Sequence, residues 1–191
     1  MNAATFQHAQ RTYRLAGLVL SLIALITLLP ASTSTQAPDN PIVLENQQPG
    51  SSGWMWTTLG DDVNQQIKGY ASATSVNQNE TITFYVSVNP AQTYTIDFYR
   101  FGWYGGLGGR LRLHVDPVNG FQQPPCPVDA STGLIACNWA PSYTLSVPSD
   151  WTSGIYAALL TNAQGFKNYV IFVVKDGRAA PFLYQQGINT D

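Results

Sequence analysis

From residue 81 the chain reads Thr-Ile-Thr-Phe-Tyr-Val-Ser-Val, with Ile82, Phe84, Val86 and Val88 on one parity and Thr81, Thr83, Tyr85 and Ser87 on the other. Side chains of a strand point alternately to its two faces, so this run describes a strand with one face in a core. The pattern recurs after Asn89-Pro90, where Tyr94, Ile96 and Phe98 alternate with Thr93, Thr95, Asp97 and Tyr99. It recurs again in Arg110 to Val115 through Leu111, Leu113 and Val115. Ile42 to Glu45, Ile67 to Ser75, Tyr143 to Val147, Ile155 to Thr161 and Tyr169 to Val174 are also strand-like. The last two are joined through Asn162-Ala163-Gln164-Gly165, a hairpin signal. About eight short strands, regular turn signals and no helical period of useful length predict an all-β fold. Over residues 42–177 we therefore expect an antiparallel immunoglobulin- or fibronectin-like β-sandwich.

The segment before it is of another kind. Arg11 and Arg14 precede Leu15 to Leu29, which carries no charge, and Pro30 and small residues follow. At 1.5 Å per residue the apolar run spans roughly 22 Å, short of a hydrocarbon core of about 30 Å. A basic start, a short apolar core and a small-residue tail form an export signal. Residues 1–37 are read as a signal peptide or as an uncleaved membrane anchor through Leu15–Leu29, and 38–41 as a linker. Either way the rest is extracytoplasmic, secreted or membrane-anchored. Cys126 and Cys137 lie within the Pro-rich excursion Pro117 to Pro141, close enough in sequence to close a loop in an oxidising compartment. A disulfide is expected there. The spacing is not that of a zinc or redox site.

Charge restricts the partners. Nine basic against eleven acidic side chains give a formal charge of −2, without the basic patch that a nucleic acid requires. Catalytic patterns are sparse. After the signal segment one histidine remains, His114, with Asp116 two residues on and on the same strand face, so the two could touch. No GxSxG elbow accompanies it. Asp61-Asp62 is the adjacent carboxylate pair, in a turn where neighbours are solvated, and Glu45 and Glu80 lie on separate elements. No ligand spacing for calcium is formed around Asp61, Asp62 or Asp150. Gly102 to Gly109 is glycine-rich but lacks the Lys-Ser/Thr of a phosphate loop. No catalytic and no metal-binding residue is assigned.

Aromatic side chains are the remaining signal. Trp54, Trp56, Trp103 and Tyr104 fall in loops, where an aromatic either covers the end of a sandwich or offers itself to a sugar or a partner's pocket. Trp54 and Trp56 lean towards packing. Trp103 and Tyr104, set among glycines, lean equally towards an interface, leaving a cell-surface glycan open as a partner.

One stretch carries a resemblance. Gly69-Tyr70-Ala71 to Val76, then Ile96-Asp97-Phe98-Tyr99-Arg100-Phe101-Gly102-Trp103-Tyr104-Gly105-Gly106-Leu107-Gly108-Gly109-Arg110, then Pro148 to Tyr156 and Tyr169 to Val174, resemble the large (beta) subunit of N,N-dimethylformamidase and its exported relatives. Ala180-Pro181-Phe182-Leu183-Tyr184-Gln185 is similar to the start of that family's next domain. The resemblance implies a β-sandwich as the N-terminal portion, followed by a larger α/β domain. It also implies hydrolysis of a formamide C–N bond by a mononuclear iron, held by tyrosines and a glutamate of that larger domain. Such an iron acts as a Lewis acid on the carbonyl and activates water. No cofactor is therefore expected in this chain. Residues 178–191 are read as the start of a truncated second domain, and the missing domain or a second subunit as the partner. The sandwich is expected to be non-catalytic. The alternatives are a part of an iron-dependent amide hydrolase, and a stand-alone module for carbohydrate binding or adhesion.

Overall fold

A computed structural model describes residues 40–55 and 57–180. The segment Leu15–Leu29, Trp56 and residues 181–191 lie outside the described residues. The alternating runs form eight strands, β1 (Ile67–Ala71), β2 (Ser75–Asn77), β3 (Thr81–Val88), β4 (Thr93–Phe101), β5 (Gly109–Asn119), β6 (Tyr143–Ser146), β7 (Gly154–Asn162) and β8 (Lys167–Lys175). They make two sheets, one ordered β1-β3-β6 and the other β2-β8-β7-β4-β5. The fold is an all-β sandwich.

The apolar parity of each strand is the core. Ile82, Phe84, Val86 and Val88 of β3 face Tyr94, Ile96 and Phe98 of β4 and Tyr156, Ala158 and Leu160 of β7, all almost fully buried. Phe84, Phe98 and Phe172 meet edge to face at centroid distances of 5.3–6.2 Å, and Trp151 stacks flat on Tyr156 at 4.7 Å. Such pairs add to the burial of large apolar rings, the main favourable term in a sandwich.

Three readings need correcting. Ile42 to Glu45 is not a strand; it lies in helix α1 (Pro41–Asn46), whose start is capped by the Asn40 side chain accepting from Ile42 N at 2.9 Å. Proline at the first helical position is preorganised for a helix, and a four-residue run is too short for periodicity to decide. The single strand expected over Ile67–Ser75 is two. β1 pairs antiparallel with β3, whereas β2 pairs parallel with the last strand, β8. The break at residues 72–74 is where the chain changes sheets. The larger sheet is therefore mixed rather than purely antiparallel.

Two irregular segments cover the outer faces. Residues 49–55 and 57–60 run over the five-stranded sheet, where Tyr99, Ala157 and Leu159 point outward yet are buried. Tyr169 Oη donates to Trp54 O, and Gly60 N and Lys167 N bond across to Lys167 O and Thr58 O. The Pro-rich excursion is a hairpin in disguise. Gln123 is bonded to Ala140, Trp139 Nε1 donates to Pro124 O, Cys126 is bridged to Cys137, Val128 pairs with Ile135, and Asp129 N donates to Leu134 O. These partners step along in one antiparallel register. Pro124, Pro125 and Pro127 have no N–H to give, so side chains and the disulfide replace the rungs of a regular ladder.

Candidate functional site

The motif loop joins β4 to β5 at one end of the larger sheet. Tyr104, Gly105, Gly106 and Gly108 all have left-handed backbone, at φ 43°, 66°, 91° and 77°. At Gly108 this is doubly required, because a Cβ would fall 2.8 Å from the Trp54 ring. Trp54 is half-buried, donates Nε1–H to Leu107 O at 2.9 Å and meets Phe101 edge-on at 5.2 Å. It clamps the loop from outside.

The loop sends its two large aromatics in opposite directions. Trp103 is 70% exposed, whereas Tyr104 is 2% exposed and points into the sandwich. Tyr104 Oη accepts from Arg100 Nη1 and donates to Glu45 Oε1, both at 2.9 Å. Burial raises the Tyr104 pKa first; the hydrogen bond from Arg100 opposes this and that to Glu45 adds to it. Tyr104 is therefore not a presenting aromatic.

Glu45 is the centre of a charged cluster that the strands build by register. Arg100 continues the inward parity of Tyr94, Ile96 and Phe98 and lies directly across from Arg110. A register shift between Phe98/Leu113 and Tyr99/Leu111 leaves Arg112 without an opposite residue. A bulge of this kind re-aims a side chain, and Arg112 joins Arg110 at the same carboxylate. Arg110 Nη1 donates to both Glu45 oxygens at 2.9 Å, and Arg112 Nη1 reaches Oε2 at 3.3 Å. Arg112 Nη2 also meets Asp150 Oδ2 at 2.7 Å, and its guanidinium lies over the Trp151 ring at 5.8 Å. Arg100, buried, gives its remaining donors to the carbonyls of Phe101, Thr152 and Ser153. Ser153 N in turn donates to Asp176 Oδ2, which ties the start of the C-terminal segment to the same end of the sandwich.

The iron implied by the resemblance finds no fit among these groups. Glu45 and Tyr104 are the right donor types, but the Arg110 and Arg112 guanidiniums already occupy the carboxylate and that of Arg100 holds the Tyr104 hydroxyl. Among the described residues no three His, Cys, Asp or Glu side chains come together as a metal-holding group.

The other candidates separate. His114 is bonded through Nδ1 to Asp97 Oδ1 at 2.5 Å rather than to Asp116. The residue directly opposite on the neighbouring strand is closer than one two places along the same strand, and Asp97 is that residue. The Asp97 bond raises the His114 pKa, with burial opposing it. Asp61 organises its own turn, accepting from Val63 N, Asn64 N and the side chains of Asn64 and Gln66; led by the Asn64 side chain, these bring its pKa down to about 2. Glu80 bonds Asn77 on another turn, far from Glu45 in the topology. Cys126 and Cys137 form the expected disulfide. Among the described residues no helix is long and apolar enough to cross a membrane. Sequence reading passed over Glu45, Arg100, Arg110 and Arg112 as a set. Arginines at core-facing positions of β4 and β5 were the signal that could have found them.

Residues 95–190 match the family model described as N,N-dimethylformamidase beta subunit-like, C-terminal. No curated protein sequence matches the chain. Among solved structures, a beta-glucosidase from Listeria innocua in complex with glucose aligns at 11% identity with a TM-score of 0.28, and another structure of beta-glucosidase from that organism at 9% and 0.25. Each alignment covers 56% of this chain and 16% of the glucosidase, and similarity at that level carries neither fold nor activity over.

Proposed function

This chain belongs to the N,N-dimethylformamidase beta subunit-like family, and from that premise we propose that it is an exported, non-catalytic sandwich that docks a catalytic partner through Trp103. The observation that carries this is the division of labour within the motif loop. Arg100 and Tyr104 are locked into the Glu45 cluster, Trp54 and the glycines fix the backbone, and Trp103 is left 70% exposed with Leu107, also exposed, in the same loop. Rigidly presented aromatics are what partner pockets take up. The partner is a following α/β domain or a second subunit, and any iron-dependent amide hydrolysis resides there. The family match runs from β4 past β8 to residue 190, and in this reading residues 178–191 open the next domain. The Cys126–Cys137 bridge fits export, with residues 1–37 as signal or anchor.

Two measurements test the reading. The purified chain, supplied with ferrous iron, is expected neither to retain it stoichiometrically nor to hydrolyse dimethylformamide; retention with turnover overturns the non-catalytic role. Sedimentation velocity and dye binding are expected to show a sticky surface that Trp103→Ser relieves. A monodisperse monomer in which Trp103 is quenched and protected refutes the docking role.

A further inference from the structure

A second site lies on the other sheet, towards the opposite end of the strands. β1 starts beside the end of β3, and Asn162, which ends β7, donates to Gln66 O there. The proline-rich hairpin crosses this outer face and leaves a cleft of about 320 Å³ lined by Gln65, Lys68, Gln122, Pro124, Ile135 and Trp139. That volume falls at the lower edge of the ~300–1,000 Å³ typical of small-molecule sites.

The cleft is preformed. Gln123, buried beneath it, accepts from Ala140 N, donates to Ala140 O at 2.8 Å, and its own N–H reaches Ser87 Oγ at 3.0 Å. Trp139 and the disulfide hold the next two rungs. Tyr70 stacks on Tyr85 at 4.8 Å and leans on Trp139 at 5.3 Å, backing the wall with rings.

Its chemistry is one-sided. Lys68 is half-buried with its ammonium 5.9 Å from the Trp139 ring centroid, and among the described residues no carboxylate pairs with it. The Gln65 and Gln122 carboxamides have no hydrogen-bond partner among the described residues either. Gln65 also sits at φ 52°, a left-handed conformation uncommon for a non-glycine residue. Strain of this kind persists where the surroundings over-determine it, at ligand clamps among other places. One cation, two free amides, and a wall of proline and exposed Ile135 over the buried Trp139 ask for a ligand with one negative charge, several hydroxyls and a flat carbon face.

We propose that this cleft binds an acidic sugar, a uronate residue whose carboxylate meets Lys68, whose hydroxyls meet Gln65 and Gln122, and whose ring lies along Pro124 and the exposed Ile135. This goes beyond the docking role, which uses the motif loop, and stands or falls separately from it.

The test is titration of the full chain with an α-1,4-linked galacturonate trimer, followed by calorimetry and tryptophan emission. Saturable binding is expected, weakened at least tenfold by Lys68→Met, by Gln122→Ala, and by methyl-esterifying the trimer. Gln122 is exposed, so its variant keeps the test valid should Lys68→Met fail to fold. No binding overturns the proposal, and so does equal affinity for the methyl ester, which removes the role of the charge. Equal competition by a capped triglutamate peptide overturns the sugar assignment in favour of a bare carboxylate site.

Discussion

Removing the Glu45 carboxylate should detach α1 from the sandwich. Glu45 is 7% exposed and is shared by Arg110, Arg112 and Tyr104. Taking one partner from a buried ion pair costs about 3–5 kcal/mol, because the remaining charge stays buried without its counter-ion. Two features reduce that here. The Arg110 side chain is 27% exposed and can turn to water, and Arg112 keeps Asp150. We therefore expect Glu45→Ala to lose about 2–3 kcal/mol, or roughly 4–12 °C in Tm for a chain of this size. Glu45→Gln keeps an acceptor for the Tyr104 hydroxyl and should lose less. Denaturant unfolding with matched m-values gives the numbers. Tryptophan emission gives a local readout, since Asn46 at the end of α1 accepts from Trp103 N at 2.5 Å. A loss below about 0.5 kcal/mol in Glu45→Ala, the range of an exposed pair, would refute the argument that this cluster holds the helix and the motif loop together.

The glycines of the loop should not be equivalent. Gly105→Ala meets open space and should cost only the left-handed penalty, about 1–2 kcal/mol, whereas Gly108→Ala also strikes Trp54 and should cost more; the two midpoints in one denaturant series decide it. Opening the Cys126–Cys137 bridge by paired serine substitution should remove up to about 3 kcal/mol on the chain-entropy estimate, less whatever the Gln123–Ala140 and Trp139–Pro124 rungs retain. The His114–Asp97 pair predicts a pH dependence. Because the folded pKa of His114 is raised, its contribution is fully present below the unfolded value of about 6.5 and is lost as pH rises through the folded value. The effect should be small for so exposed a pair and absent in Asp97→Asn, as compared by unfolding at pH 5.5 and 8.5. Asp61 and Asp129, both at about 2, predict the opposite arm, with stability present above pH 4 and lost as pH falls towards 2.

What could be read from sequence was whatever a period of two dictates. The buried parities of β3 and β4 follow from alternation, since one face of each strand must leave water, whereas β7, buried on both faces, shows only as an apolar run. Tertiary choices escaped it. Nothing local distinguishes residues 72–74 as a crossing between sheets, because both halves are short and apolar enough for either. The helix start at Asn40-Pro41 lies in what reads as a linker, and the β-branched Ile42 and Val43 that follow it favour a strand locally. The inward turn of Tyr104 depends on a left-handed backbone at a non-glycine position, which composition does not forecast. The hairpin register of residues 123–140 escaped for a related reason, since prolines removed the alternation by which a ladder is recognised.

The position of Trp103 then becomes the quantity to explain. Arg100 and Tyr104 satisfy Glu45, Gly108 makes room for Trp54, and Gly105 and Gly106 turn the chain, so each has a structural task that its chemistry accounts for. Trp103 contributes its backbone N–H to Asn46 and leaves most of its indole in water. A tryptophan carries on the order of 250 Å² of surface, so the exposed share represents roughly 4 kcal/mol of burial at about 25 cal/mol per Å². An isolated sandwich has no use for a bulky ring held in water by a loop this constrained. A surface that closes over Trp103 would recover that energy without reordering the loop, because the Glu45 cluster has already fixed it, and preorganisation of this kind lowers the entropy lost on binding. The rigidity of the motif and the exposure of its tryptophan are thus one observation, and they argue for a partner on this end of the domain.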